Sequence, residues 1–373
     1  TGADALAYIS ALNGQVADES IIAYAAPIRS LKRNVEGGPR KYATKYENIT
    51  ASLGMRGDIN DDWRYDVSYQ TSQVDFSEEI QNDLSITKLL RATNVINVAG
   101  VPTCVSVLDG TDPDCIPYNL FSGGLPGDGG VQAIIDANPD IQTYMAIPNF
   151  ILGDSSETIF QAYVEGTTNI SIPGAPDAIS AVFGYESREL ESDYRPDASA
   201  QAADRTGAGG PVVALAGGYD VDEYFVELGV PVTDALNLEV GMRFAEYSTD
   251  QDTDSFKLGA YYQVNDDLSV RGTLQTATRH GSITELYRGQ GSSLTDLDPD
   301  PCGTDPESGE GPTATLEQCR NTGLADADYG SDLKSPADQY NILTGGNPNL
   351  RPEESDSTTL GVVWTPSNVE GLT

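Results

Sequence analysis

Residues 223–244 read EYFVELGVPVTDALNLEVGMRF, and two properties of this stretch decide the fold. The first is a period of two. Tyr224, Val226, Leu228, Val230 and Val232 alternate with Glu223, Glu227 and Gly229; then Leu238, Val240, Met242 and Phe244 alternate with Asn237, Glu239 and Arg243. Successive side chains of a strand point to opposite faces, so each half is a strand with one apolar and one polar face. The second is the link at 233–235, which is too short for anything but a tight turn. The two strands therefore pair antiparallel.

The same alternation runs outward in both directions, giving nine segments: 49–59, 63–70, 160–172, 179–188, 223–232, 237–244, 255–264, 268–275 and 358–365. A weaker tenth lies near 28–36. In 160–172, for example, Phe160, Ala162, Val164, Ile170 and Ile172 oppose Gln161, Tyr163, Glu165, Asn169 and Ser171. Several segments reach the roughly 9–11 residues that a tilted strand needs to cross a bilayer core. Helical periodicity is weak, with short turns expected at 1–12 and 131–138.

The connections also alternate. Tight turns at 59–62, 173–177, 233–235 and 266–267 are interleaved with long links at about 79–157, 195–218 and 281–353, and one short one near 250–254. In an up-and-down barrel this puts every short turn on one rim and every long loop on the other, as in outer-membrane barrels. Trp63 and Tyr65 follow one short turn and Trp364 precedes another, which suits an interfacial aromatic girdle. The alternative is a soluble, secreted β-sandwich that binds carbohydrate or mediates adhesion. It explains alternation but neither the charges on every polar face nor the loop asymmetry.

Composition agrees with a β protein: 38 Gly, 21 Pro and 19 Tyr in 373 residues. No apolar run is long enough for a transmembrane helix. With 57 acidic against 21 basic residues the net charge is −36, which argues against nucleic acid as a partner. The four cysteines form two local pairs, Cys104 with Cys115 and Cys302 with Cys319, in Gly/Pro/Asp-rich stretches. They read as loop disulfides of an oxidising compartment; zinc is disfavoured by the absent Cys-x-x-Cys spacing and the single histidine. The ends, at Thr1 and in a turn-like 366–371, read as cuts in a longer protein.

Specific motifs add a family. GGNPNLRPEES at 345–355, running into TLGVVW at 359–364, resembles a signature of TonB-dependent receptors in which "GNPxLxPE" ends a long extracellular loop and enters a strand. RHGSITELY at 279–287 resembles the family's "R-x-P-x-x-x-E-L-F/Y", with Gly281 in the place of Pro. EYFVELGVP at 223–231 resembles its "E-x-F-x-E-L-x-x-P" strand, and RNVEGG at 33–38 and PYNLF at 117–121 resemble pieces of one subgroup. The resemblance implies a barrel of about 22 strands closed by an N-terminal plug. It also implies coupling to the inner-membrane TonB complex through that plug. On this reading the chain supplies about ten strands, part of one barrel domain, with no plug and no cofactor. It lies in the lipid of a Gram-negative outer membrane and takes up a small, scarce nutrient: an iron-siderophore, cobalamin, haem or an oligosaccharide.

Inward-facing charges are the first candidate site. Arg56, Arg64, Glu165, Glu186, Arg188, Glu227, Glu239, Arg243, Lys257 and Arg271 fall on the polar faces, where they can dock the plug or simply hydrate a wide lumen. Asp296, Asp298 and Asp300, with Glu307 beyond, imitate the spacing of a calcium loop, but Pro301 stands where such a loop needs Gly. A solvated acidic loop is the plainer reading. His280 sits where a strand exits into a loop, with no nucleophile pattern beside it, so it reads as a rim residue and not a general base. The glycine-rich 123–130 lacks the Lys–Ser/Thr of a phosphate loop. No catalytic set emerges and no enzyme is expected.

Overall fold

The computed structural model describes residues 34, 37–119, 140–206, 210–296, 300–305, 307–333 and 339–367. In chain order its strands are β1 (Lys41–Asp58), β2 (Trp63–Gln81), β3 (Val95–Val98), β4 (Val101–Cys104), β5 (Asn149–Thr167), β6 (Ser180–Pro196) and β7 (Leu215–Pro231). They continue as β8 (Leu236–Tyr247), β9 (Thr253–Asn265), β10 (Leu268–Arg279), β11 (Gly291–Asp296), β12 (Gln339–Thr344) and β13 (Glu353–Trp364). Nine of them form one sheet in the order β1-β2-β5-β6-β7-β8-β9-β10-β13, each pair antiparallel. The pairs β3–β4 and β11–β12 are small ribbons within the long connections.

This is a barrel wall and not a sandwich. Among the described residues no second sheet covers the apolar face of the nine strands, and that face stays open: Leu360, Leu53, Ile49 and Val362 are 80%, 78%, 74% and 63% exposed. In water such a surface would carry a large hydrophobic penalty; in hydrocarbon it carries none. No helix among the described residues is long and apolar enough to cross a membrane.

Strand register shows where the apolar band begins and ends. On the outer face one row runs Met55, Val67, Ala162, Tyr185, Tyr224, Phe244. Toward the short turns this face is apolar throughout, ending near Trp63, Phe183, Tyr262 and Trp364; Trp63 stacks on Phe183 at 6.4 Å. Tyr69, Phe160, Tyr185 and Tyr224 edge the opposite side of the band, with ring centroids 6.2 Å apart for Phe160–Tyr185 and 5.2 Å for Tyr185–Tyr224. Aromatic rings favour such interfaces because one edge is apolar and the other meets water. From Trp63 to Tyr69 the strand climbs about 20 Å at roughly 3.4 Å per residue, comparable to the ~25 Å apolar band of outer-membrane barrels.

Beyond this band the outer face turns polar. Gln73, Asp75, Ser77 and Glu79 follow on β2, and Glu189, Glu191 and Asp193 on β6. The strands nevertheless continue: β1, β2, β5, β6 and β7 have 18, 19, 19, 17 and 17 residues, against 12 for β8, β10 and β13. Periodicity alone ends β2 at residue 70 and begins β5 at 160; both strands run about ten residues further into the polar zone. It also extends the 160–172 segment too far. β5 stops at Thr167, and Ile170 and Ile172 lie in the turn, where Ile179 N–H donates to the Ile170 carbonyl at 2.9 Å. The expected strand near 28–36 and the helical turns at 1–12 and 131–138 lie outside the described residues, apart from Asn34, which is in no element.

The described parts of the long connections hold secondary structure of their own. The helices Ile86–Thr93 and Ile141–Met145 gather Leu84, Ala92, Cys104, Cys115, Tyr118, Tyr144 and Met145 into a small buried core at the far end of β2 and β5. Ser85 caps the first helix by accepting from Lys88 N–H.

Candidate functional site: the inner face and the loop roots

All ten inward charges expected from the sequence occupy one face of the sheet, as the register requires. Several join across strands. Arg64 pairs with Glu165 on the neighbouring strand. Arg188 binds Glu186 at 2.5 Å and reaches Glu157 at 3.8 Å. Arg243 binds Glu223 at 2.6 Å and approaches Glu186 at 3.6 Å, and Lys257 binds Glu239 at 2.8 Å. Gln161 donates to Glu186 at 2.8 Å. Arg56, Glu227 and Arg271 share the face but form no ion pair with a described residue. The exposed pairs Arg64–Glu165 and Lys257–Glu239 contribute little stability and serve to wet and pattern the face, whereas Glu186 is buried between Arg188, Arg243 and Gln161, which compensate its charge. The sheet curls around a trough of about 1090 Å³ lined by Arg64, Gln161, Glu165, Glu227, Glu239, Arg243 and Lys257.

One close approach shapes this face. Phe225 lies directly over Gly184, its cross-strand partner, where a Cβ would overlap the ring. The Arg243 guanidinium then sits over the same ring, 5.4 Å from its centroid.

The two loop motifs meet at the root of connection 280–352. Ser282 and Glu285 form a reciprocal capping box on the helix Ile283–Tyr287. Arg279 Nη2 donates to Glu285 at 2.8 Å and Nη1 reaches Glu353 at 3.0 Å. Hydrogen bonds from the Ser282 backbone and from Arg279 hold the Glu285 carboxyl down at about 2. The second motif closes on the first: Gly346 N–H donates to the Arg288 carbonyl at 2.7 Å and Asn347 N–H to the Glu285 carbonyl at 2.8 Å. Gly346 must be glycine, because a Cβ would fall 2.7 Å from the Leu286 and Arg288 backbone. Gly281 faces Leu286 and Leu350, and it packs where the family motif carries Pro. The helix folds inward over β7, where Gly217 leaves the room that Tyr287 fills.

Both cysteine pairs are disulfides, with Cα atoms 6.2 Å apart for Cys104–Cys115 and 5.8 Å for Cys302–Cys319. Each closes a short local loop, worth about 2–3 kcal/mol by restricting the disordered chain. Beside the first, Asp112 accepts from the Tyr144 hydroxyl at 2.8 Å and from Arg91 at 3.0 Å. These contacts lower the Asp112 pKa, the Tyr144 bond most; burial raises that of Tyr144.

His280 is not a catalytic base. It is buried, stacked on Tyr247 at 4.0 Å and edge-on to Tyr219 at 4.8 Å, with Nε2 bonded to the Thr249 hydroxyl at 2.8 Å. Burial depresses its pKa, so it packs as a neutral ring. Of the calcium candidates, three lie among the described residues. Asp296 ends β11, Asp300 accepts from Cys302 N–H at 2.8 Å and Glu307 N–H donates to Asp305 at 2.8 Å, while Asp298 lies outside the described residues. Among the described residues no group of three potential ligands converges.

The family described as TonB dependent receptor-like, beta-barrel, matches residues 7–373. The chain belongs to the TonB-dependent receptors. It is therefore part of a family of receptors and transporters, not enzymes. No curated protein matches it. Similar solved structures include the RagAB peptide importer in its "closed-closed" state, at 10% identity and TM-score 0.43, over 87% of this chain and 28% of that one. They also include the ferric-catecholate import receptor Fiu from K12 E. coli, at 12% identity and TM-score 0.37, over 67% and 37%. A third is the siderophore receptor PirA from Pseudomonas aeruginosa, at 10% and 0.36, over 86% and 44%. The chain thus spans less than half the length of these receptors.

In this receptor wall the sequence reading missed an inner-face row above the apolar band. Tyr46, Phe76, Gly153, Tyr194 and Leu215 are successive cross-strand partners. The signal for them was present as an inversion: past Tyr69, β2 carries Val74, Phe76 and Ile80 on its inner face and Gln73, Asp75 and Glu79 on its outer one.

Proposed function

We propose that the chain is wall and loop material of an outer-membrane receptor of a Gram-negative bacterium, for TonB-energised uptake of a scarce nutrient. The observation that carries this is the family match joined to the two-faced sheet: an uncovered apolar band outside and a charged trough inside. On this reading the long-loop end faces the medium, where disulfides are stable. The trough is the docking surface for the plug, through which the TonB complex supplies energy. Arg56, Glu227 and Arg271, which form no ion pair among the described residues, are then contacts for the plug. The nutrient belongs to the classes such receptors carry: iron-siderophores, cobalamin, haem, oligosaccharides or peptides.

A deletion strain grown on each class as sole source tests this reading. Loss of growth on one class, restored by the intact gene but not in a strain lacking TonB, is the expected result. Normal growth on every class, or a complete parent protein that stays soluble without detergent, would overturn it.

A further inference from the structure

The inner face above the apolar band holds a second cavity of about 520 Å³, distinct from the charged trough. Its wall is the register row Tyr46–Phe76–Gly153–Tyr194–Leu215. Gly153 is the reason the rings form a shelf. A Cβ there would touch Phe76 at 3.5 Å and Tyr194 at 3.6 Å, so a larger residue would occupy the gap between them. Without it, Phe76 and Tyr194 lie nearly parallel, 6.2 Å apart at 19°, and Tyr46 adds a third ring 5.1 Å from Phe76.

The opposite side of the cavity comes from the loops, as Val213, Thr284 and Arg288. Arg288 is exposed, follows the helix Ile283–Tyr287, and has its backbone fixed at both ends: its N–H donates to Thr284 at 3.2 Å and its carbonyl accepts from Gly346 at 2.7 Å. Its guanidinium has no ion pair with a described residue. The charges of Glu78, Arg205 and Arg288 act on Tyr194, and of these three residues only Arg288 lines the cavity. Arg205 is buried, with Nε unbonded. Asp154 and Asp193 border the cavity through the sheet, but their side chains lie on the outer face, where Arg195 binds both at 2.8 and 2.6 Å. With both carboxylates of the lining turned outward, Arg288 is the charged side chain of the lining left to meet a ligand.

We propose that this cavity is a subsite for a ligand portion in which a flat aromatic ring carries an anionic group. The ring packs on Tyr46, Phe76 and Tyr194, and the anion pairs with Arg288. This deepens the uptake reading by naming the chemistry recognised at one place on the ligand's path, and it rests on that reading only for the ligand's fate.

The test is binding of three small probes to the complete receptor in detergent, followed by saturation-transfer NMR: benzoate, cyclohexanecarboxylate and benzylamine. Benzoate should bind in the millimolar range, more tightly than either of the others. Arg288→Ala should weaken benzoate roughly tenfold, the cost of about one charge-assisted bond, while Arg288→Lys retains part of it. Phe76→Ala should abolish the preference for benzoate over cyclohexanecarboxylate. Heat-modifiable migration on gels shows that each variant is folded. Undetectable benzoate binding, equal binding by folded Arg288→Ala, or benzylamine binding as well as benzoate overturns the proposal. Arg288-dependent benzoate binding in a receptor that supports no uptake leaves the subsite standing and removes the transport reading.

Discussion

Arg279, the last residue of β10, reaches Glu353, the first residue of β13, with 3.0 Å between Nη1 and Oε1. The same guanidinium holds Glu285 of the intervening helix at 2.8 Å. One side chain therefore ties together both ends of a connection more than seventy residues long, and it joins the two sequence motifs that mark the family.

Arg279→Ala should free the loop root and leave the wall intact. Hydrogen exchange at the amides of Leu286, Arg288, Gly346 and Asn347 should rise roughly two- to fivefold, the equilibrium factor typical of exposed ion pairs. Arg279→Lys should fall between, because an ammonium cannot hold two carboxylates in a fixed fork. Unchanged exchange in the alanine variant would mean that the backbone bonds alone set the root.

The same root should be acid-sensitive. Glu285 is depressed from 4.5 to about 2. A depressed carboxylate contributes stability that is complete above its unfolded value and is lost as pH falls through its folded one. The helix Ile283–Tyr287 should therefore stay docked at neutral pH and loosen progressively between pH 4.5 and about 2. Asp112, lowered by its bond from Tyr144, gives the 82–119 core the same direction. Exchange measured along a pH series, corrected for intrinsic rates, checks it; loosening on raising the pH instead would contradict the assignment.

Gly184→Leu should destabilise the wall, since Phe225 occupies the place of its side chain. Overpacking of this kind costs about 1–3 kcal/mol. Gly241→Ala is the control: its nearest contact would be Lys257 Cβ at an ordinary 3.7 Å, so a change within about 0.5 kcal/mol is expected. Urea unfolding of the complete receptor from lipid vesicles measures both.

Leu258 and Gln275 test which face meets lipid. They sit on adjacent strands, Leu258 on the apolar face and Gln275 on the inner one, opposite Lys257. Leu258→Arg should cost about 2–4 kcal/mol if it lies near the bilayer midplane, while Gln275→Arg should be tolerated, since its face is already polar. Equal costs in the same unfolding assay would remove the lipid-facing assignment.

The short turns, the order of the strands and the two faces were legible from residues such as Tyr224–Glu227 and Leu238–Arg243. Each strand is read locally: a period of two survives whatever the strand packs against, and a three-residue link leaves only an antiparallel partner. The disulfides were legible for the same reason, being close in sequence. The strand ends were not. Past Tyr69 strand β2 leaves the apolar band, its outer face becomes polar and its inner face becomes apolar, while before Phe160 strand β5 carries apolar residues on both faces, Phe150 and Leu152 outside and Ile151 inside. The alternation reverses phase on β2 and lapses on β5, and a pattern that demands one constant phase stops too early.

The amino-acid sequence by itself thus determined the barrel wall, its family motifs and the side of each strand on which charge lies, because these follow from side-chain order along a single strand. Only the tertiary structure decided what the motifs do. Arg279 meets Glu285 and Glu353, and Arg288 comes to line one cavity with Tyr46, Phe76 and Tyr194, through the pairing of distant strands and the inward fold of a loop. Those encounters depend on register and packing between segments, which no local periodicity encodes.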